Sequence, residues 1–110
     1  MGVLKISGND FKKEVLEYNG VSLVDFYADW CGPCRIMSPI IDQLASEEKK
    51  IKFVKVNVDE NPDLASNYQV FSIPTLIVFK NGQVVGQLVG VVSKENLKQE
   101  LSKHLNQLIT

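Results

Sequence analysis

Cys31 and Cys34 are the only cysteines in the 110-residue chain, and they lie in the segment Trp30-Cys31-Gly32-Pro33-Cys34 with two residues between them. Two thiols at this spacing can alternate between a dithiol and a disulfide. In a chain with alternating strands and helices, an isolated Cys-X-X-Cys is typical of a redox motif. The sequence therefore predicts thiol–disulfide chemistry at this segment.

The flanking sequence predicts that a strand delivers Cys31 to the start of a helix. Residues 21–28 form a dense apolar run, and apolar residues recur at three- and four-residue spacing from Met37 to Leu44. The first N–H groups of a helix lack internal partners and carry partial positive charge, which favours a thiolate over a thiol. We therefore predict that Cys31 attacks a target disulfide and that Cys34, one turn further on, resolves the mixed disulfide.

Gly32 and Pro33 suit the connection between the two cysteines. Glycine removes side-chain bulk where a partner must approach the sulfur. Proline at an early helical position has a preset φ and lacks only an N–H that would be unpaired anyway. We include both residues in the predicted catalytic segment.

Two alternatives to a redox role are less favoured. A structural zinc site needs four ligands, and the only histidine of the chain, His104, lies far from the cysteines in a helical pattern. A purely structural disulfide would close so short a loop that it removes little chain entropy from the unfolded state. We therefore expect no bound metal.

Asp25 is out of place in the apolar run 21–28, which is typical of a central strand covered on both faces. A buried carboxyl group without a full set of partners tends to hold a proton near neutral pH. We predict that Asp25 accepts the proton of the resolving thiol of Cys34. The alternative is a carboxylate at a turn or in solvent, because burial is inferred here only from the pattern.

Lys55 is the second anomalous charge. It shares a strand face with Ile51 and Phe53 by period-two alternation, so it points where apolar residues point. An inward lysine is costly unless it is paired. We hypothesise that Lys55 interacts with Asp25 beneath the cysteines and modulates proton transfer.

Composition and charge restrict the partners. The chain has 12 basic and 13 acidic residues, interspersed, for a formal net charge of -1, and 45% hydrophobic residues. It therefore offers no basic field for nucleic acid and no polybasic membrane anchor. We expect one domain over residues 1–110, protein partners, a monomer and, from the absence of a leader-like or membrane-spanning run, a cytoplasmic location.

Apolar periodicity and turn signals predict nine elements. The first four are a strand over 3–6, a helix with Phe11, Val15 and Tyr18 on one face, a strand over 21–28 and a helix over 33–49. A strand over 51–59 and a short helix after Asn61-Pro62 follow. The last three are strands over 76–79 and 83–89, joined by Asn81-Gly82, and a helix that is capped by Ser93 and aligns Leu97, Leu101, Leu105 and Leu108. Asn-Gly is a strong hairpin signal. The order predicts an α/β sheet with helices on both faces.

Over essentially its whole length the sequence resembles the thioredoxin family. The resemblance rests on Trp30-Cys31-Gly32-Pro33-Cys34 and on Asp25, Pro39, residues 55–59, Ile73-Pro74-Thr75, Asn81-Gly82 and Val89-Gly90. It implies a thioredoxin fold, with a central mixed five-stranded sheet of order 1-3-2-4-5 and four helices on its two faces. It also implies a cis peptide bond between Ile73 and Pro74, facing the cysteines.

The resemblance further implies a shallow apolar groove that binds the target protein. Its expected lining is Trp30, Gly32, Pro33, Val58, Ile73, Pro74, Val89 and Gly90. The sequence departs from the family pattern at Tyr27, where many relatives have tryptophan, and at Gln69 and Ser72, where some have glycine. Phe71 is also bulky beside the groove. We expect these departures to affect the choice of partner more than the chemistry.

By the same resemblance, the chain is expected to be a protein-disulfide reductase without a bound cofactor. An NADPH-dependent or ferredoxin-linked thioredoxin reductase would restore its dithiol. Two other functions stay open at this point. A dithiol oxidase or isomerase would use the same fold with other residues between the cysteines. A binding subunit would use the groove without electron transfer.

Overall fold

The structure is a computed structural model that describes residues 2–106. Within that range five strands form one sheet in the order β1-β3-β2-β4-β5. Their bounds are Leu4–Lys5 (β1), Val21–Tyr27 (β2), Ile51–Asn57 (β3), Thr75–Lys80 (β4) and Gln83–Val89 (β5). Strands β1 and β2 run parallel to β3, β4 runs antiparallel to β2, and β5 runs antiparallel to β4. The mixed sheet and its order are confirmed.

Three α-helices follow strands, over Gly32–Glu47 (α1), Pro62–Asn67 (α2) and Lys94–Asn106 (α3). Helix α1 starts at the cysteine segment and continues through Pro39. Ser93 caps α3, because its Oγ accepts a hydrogen bond from the N–H of Asn96 at 3.1 Å. Of the expected leucine stripe on α3, Leu97 and Leu101 are buried and Leu105 is half-buried, while Leu108 lies outside the described residues.

The first helical segment is wound differently from a regular α-helix. It consists of a 3₁₀ turn, Gly8–Asp10, and a π-helical stretch, Lys12–Leu16. The N–H of Glu17 donates to the carbonyl oxygen of Lys12 at 2.9 Å, five residues back. Apolar spacing does not distinguish this winding from an α-helix, because Phe11 and Val15 are buried as expected.

Each face of the sheet carries its own apolar core. The face under α1 and α3 is filled by Val21, Leu23, Met37, Ile41, Leu44, Ile51, Phe53, Leu76, Val78, Leu97 and Leu101. The other face, under the first helical segment and α2, is filled by Ile6, Phe11, Val15, Val24, Phe26, Val54, Val56, Ile77 and Phe79. Alternate residues of β2 enter opposite cores, so β2 is a fully covered central strand as its apolar run predicts.

The hairpin between β4 and β5 turns at Asn81-Gly82 as predicted. Both residues have positive φ, 53° and 83°, as a type I′ turn requires. The Asn81 side chain also accepts a hydrogen bond from the N–H of Gly20 at 2.8 Å, so the turn is fixed to the loop before β2. A Cβ atom on Gly82 would collide with the carbonyl oxygen of Leu16.

We predict that Gly82→Ala lowers the free energy of unfolding by about 3 kcal/mol or more, because it combines a positive φ with a backbone collision. Gly90→Ala is the matched control. Gly90 has a similar φ of 87° but open space around its missing Cβ, so its replacement should cost only about 1–2 kcal/mol. Urea unfolding of both variants measures the difference, and equal losses would contradict the role of the Leu16 contact.

Candidate active site

The topology brings the predicted site segments to one edge of the sheet. Strands β2 and β3 are parallel and both end there, β4 begins there because it is antiparallel to β2, and β5 ends beside the start of β4. The residues at or next to these strand ends are the cysteine segment 30–34, Val58, Ile73-Pro74 and Val89-Gly90. Residues far apart in the sequence therefore meet at this edge.

Cys31 is the N-cap residue of α1, and Cys34 lies in its first turn. The two are disulfide-bonded, with their Cα atoms 5.2 Å apart. The N–H of Cys34 donates to the Cys31 sulfur at 3.2 Å, so this sulfur already occupies the position of a capping acceptor. Cys31 is 3% exposed and Cys34 is 5% exposed, whereas Gly32 and Pro33 between them are exposed.

The Ile73-Pro74 peptide bond is cis, as the resemblance implies, and lies against the cysteines. The carbonyl oxygen of Ile73 is 3.7 Å from the Cys31 sulfur. Two hydrogen bonds hold this loop in place: the N–H of Gly90 donates to the Pro74 carbonyl at 2.8 Å, and the Thr75 hydroxyl donates to the Ser72 carbonyl at 2.5 Å. A fixed backbone edge therefore faces the Cys31 sulfur.

The apolar residues expected to line the groove surround this edge to different depths. Val58 and Ile73 are half-buried and pack against the cysteines, and Pro74 is buried. Trp30 is 67% exposed and Val89 is exposed, so they are available to a partner.

Asp59 is a site residue to which the sequence reasoning gave no role. Its carboxylate accepts a hydrogen bond from the indole N–H of Trp30 at 2.8 Å. This bond orients the exposed ring beside the cysteines. Local sequence patterns gave no signal for this pair, because Trp30 is exposed and lies 29 positions from Asp59.

Asp25 lies beneath Cys34, and its interpretation as a solvent-exposed carboxylate is wrong. It is 5% exposed and lines a cleft of about 280 Å³ together with Cys34, Ser38 and Lys55. Burial raises the pKa of Asp25 from 3.8 to about 7; the positive charge of Lys55 opposes this increase and the carboxylate of Asp42 adds to it.

Lys55 stands opposite Asp25 in the register of β2 and β3, on the same side of the sheet as Ile51 and Phe53. Among residues 2–106, however, no ion pair joins Lys55 to Asp25, and one carboxyl oxygen of Asp25 has no hydrogen-bond partner. The Lys55 ammonium group lies 5.5 Å from the centre of the Tyr27 ring instead. The interaction is therefore electrostatic, without a direct contact between the charged groups.

Comparison with known proteins bears on this geometry. The family model described as Thioredoxin matches residues 2–103. Thioredoxin 1 of Nostoc sp. is 53% identical over 102 residues, which cover 92% of this chain and 95% of that protein. Thioredoxin of Staphylococcus aureus is 50% identical over 106 residues, 96% of this chain and 100% of that protein.

The chain belongs to the thioredoxin family. A mutant thioredoxin from Halobacterium salinarum superimposes with a TM-score of 0.87 at 39% identity, covering 94% of this chain and 90% of that one. A second similar chain comes from a structure on thiol resolution in yeast mitochondrial 1-Cys peroxiredoxin through the glutathione and thioredoxin systems. It superimposes with a TM-score of 0.84 at 31% identity, covering 92% of this chain and 94% of that one.

Thioredoxins are protein-disulfide oxidoreductases that carry no bound cofactor, so this chain is a thiol–disulfide oxidoreductase whose redox group is the Cys31–Cys34 disulfide. The thioredoxin family acts on disulfide targets and is reduced by thioredoxin reductase. Within residues 2–106 no cluster of three or more His, Cys, Asp and Glu side chains could hold a metal ion. Within the same residues no helix has the length and apolar character needed to cross a membrane.

We predict that Asp25→Asn stabilises the protein at alkaline pH. Between pH 3.8 and about 7 the native state binds more protons at Asp25 than the unfolded state does, so wild-type stability falls as pH rises through this window. The neutral amide avoids that loss, which is on the order of 4 kcal/mol. Urea unfolding at several pH values should show the largest gain above pH 7 and almost none near pH 4.

Asp63→Asn, at an exposed position on α2, is the control and should show no comparable pH-dependent gain. If Asp25→Asn and wild type differed in free energy of unfolding by the same amount at acid and alkaline pH, a raised pKa at Asp25 would be contradicted.

We also predict that Lys55→Met raises the pKa of Asp25 above about 7, by roughly one pH unit, because it removes the nearby positive charge. Carboxyl-detected NMR titration of the oxidised protein measures this directly. Lys52→Met, on the same strand but the opposite face and paired with Glu14, should leave the Asp25 titration unchanged. An unchanged titration in Lys55→Met would exclude the electrostatic coupling.

Proposed function

We propose that Cys31 is the nucleophile and Cys34 the resolving thiol in the reduction of target disulfides. The Cys31 thiolate attacks one sulfur of the target disulfide, forming a mixed disulfide and releasing the other target sulfur as a thiolate. The Cys34 thiolate then attacks the Cys31 sulfur, the Cys31–Cys34 disulfide forms, and the second target thiolate leaves. Two electrons pass from the protein dithiol to the target.

The observation that carries these roles is the placement of the two sulfurs in α1. The Cys31 sulfur caps the helix and accepts the N–H of Cys34 at 3.2 Å, so a negative charge on this sulfur is favoured by the amide and by the helix dipole. Cys34 lies one turn further in, on the side of the Asp25 cleft. Gly32 and Pro33 form the exposed connection over which a target approaches.

Asp25 is the proposed proton acceptor for Cys34. Cys34 must lose its proton before it can attack the mixed disulfide, and the Asp25 carboxylate faces the same cleft. A pKa of about 7 suits an acid–base group that exchanges a proton near neutral pH. Lys55 modulates this step by stabilising the ionised form of Asp25.

The proposed target-binding surface is the edge formed by Trp30, Val58, Ile73, Pro74, Val89 and Gly90. An extended target segment would lie against the fixed 72–75 loop, where the Ile73 carbonyl is 3.7 Å from the Cys31 sulfur. Apolar side chains around this point supply contact area for the target segment. A protein target is supported by the similar chain from the structure on thiol resolution in a peroxiredoxin, because a peroxiredoxin is itself a protein.

The proposed setting is a cytoplasmic monomer that a thioredoxin reductase, linked to NADPH or to ferredoxin, returns to the dithiol. The near-zero net charge and the family membership support protein partners rather than nucleic acid or membrane. The direction of electron flow, from dithiol to target, distinguishes this function from that of an oxidase or isomerase.

Insulin reduction tests the proposal, with dithiothreitol or a thioredoxin reductase as the electron source. We expect Cys31→Ser to lower the rate to the protein-free background. Cys34→Ser should instead accumulate a covalent mixed disulfide with the target, detected by intact-protein mass. An adduct that forms through residue 34 in Cys31→Ser, but not through residue 31 in Cys34→Ser, would reverse the two roles. A double serine variant that keeps full function in the cell would support a binding subunit.

A further inference from the structure

Phe71 is the most exposed large apolar side chain among residues 2–106, at 87%. It lies two residues before Ile73, whose carbonyl oxygen is 3.7 Å from the Cys31 sulfur. A ring so exposed adds little to either core, so folding does not account for an aromatic residue at this position.

The backbone that carries Phe71 is anchored on both sides. On one side the N–H of Val70 donates to the carbonyl of Ala65 at 2.9 Å. On the other side the Thr75 hydroxyl donates to the Ser72 carbonyl, and the Gly90 N–H donates to the Pro74 carbonyl. The backbone of Phe71 is therefore held at a defined place beside the site, and its exposed ring is open to contact from solvent.

That place is within reach of a target segment bound at Cys31. Two residues of extended chain span at most about 7 Å, so the backbone of Phe71 lies close to the Ile73 carbonyl and hence to the reacting sulfur. A target residue about two to four positions from the attacked cysteine can reach the ring. The target cysteine itself cannot contact the Phe71 ring, since it is held at the Cys31 sulfur.

Charge at this edge of the sheet is distributed unevenly. Residues 69–79 and 83–93, which carry Phe71 and Val89, contain no Asp, Glu, Lys or Arg. The segments that follow β2 and β3 at the same edge carry Asp29, Arg35 and Asp59. The two segments on the Phe71 side therefore contribute apolar and neutral polar side chains but no charged ones.

We propose that Phe71 is a specificity-determining residue that selects targets with an apolar or aromatic side chain about two to four residues from the reducible cysteine. The proposal rests on the function proposed above and adds a sequence preference to it. Aromatic and apolar pairing at the ring would favour such targets, whereas a charged side chain would lose solvation there without gaining a partner.

The test uses short Gly/Ser peptides that each contain one cysteine and are linked as symmetric disulfide dimers. A single position near the cysteine is varied among Phe, Leu, Ser and Glu and moved along either side of it. The pre-reduced protein is the only reductant, and the release of peptide thiols gives the rate constant. We expect wild type to reduce the best-placed Phe or Leu peptide roughly 3- to 10-fold faster than the matching Ser peptide.

Phe71→Ser should bring that ratio close to one without changing the rate on cystamine, a small disulfide with no flanking residues. Val84→Ser is the matched control, because Val84 is also exposed but lies at the other end of β5. This variant should keep the wild-type preference. Phe71→Arg should reverse the order of the charged and apolar peptides, with the Glu peptide reduced faster than the Leu peptide.

The outcomes separate this inference from the proposed function. The role of Phe71 would be overturned if wild type reduced every peptide at the same rate, or if Phe71→Ser kept the preference for apolar peptides. Either result would leave the Cys31 mechanism intact. Failure of wild type to reduce any peptide or cystamine faster than Cys31→Ser would instead overturn the proposed function.

Discussion

The hydrogen bond from the N–H of Cys34 to the sulfur of Cys31 is the interaction on which the site depends. It exists because β2 ends just before the cysteines and α1 begins at Gly32, directly after Cys31, so that the Cys31 sulfur becomes the cap of a helix. The sulfurs of the two cysteines therefore have different environments. One lies where an anion is stabilised, and the other lies beside a cleft that contains a carboxyl group.

Asp25 is an unfavourable group that the fold accommodates next to the cysteines. A carboxyl group on a central strand is costly when ionised, and burial raises its pKa to about 7. The charge of Lys55 on the neighbouring strand limits the cost without forming an ion pair. A direct ion pair would stabilise the carboxylate further and reduce its ability to take up a proton near neutral pH. The separation of the two charges thus suits acid–base exchange.

Much of the fold followed from local patterns. Alternation and turn chemistry predicted the order of the elements, and Asn81-Gly82 predicted a hairpin whose two positive φ angles the structure confirms. The order of the strands came from family resemblance, since periodicity does not encode which strands are neighbours. The π-helical winding of Lys12–Leu16 was not predictable, because Phe11 and Val15 show the spacing of an ordinary helix.

By itself the sequence determined the chemistry and its local setting: two thiols two residues apart, at the start of a helix, with an acid in the preceding strand. These features depend on residue type and short-range spacing, which a chain carries before it folds. Only the tertiary structure decided that Ile73 faces Cys31, that Asp59 orients Trp30, and that Lys55 stands across from Asp25 without contact. Those relations join residues about 30 or more positions apart, and the pairing of strands and the packing of helices set their distances.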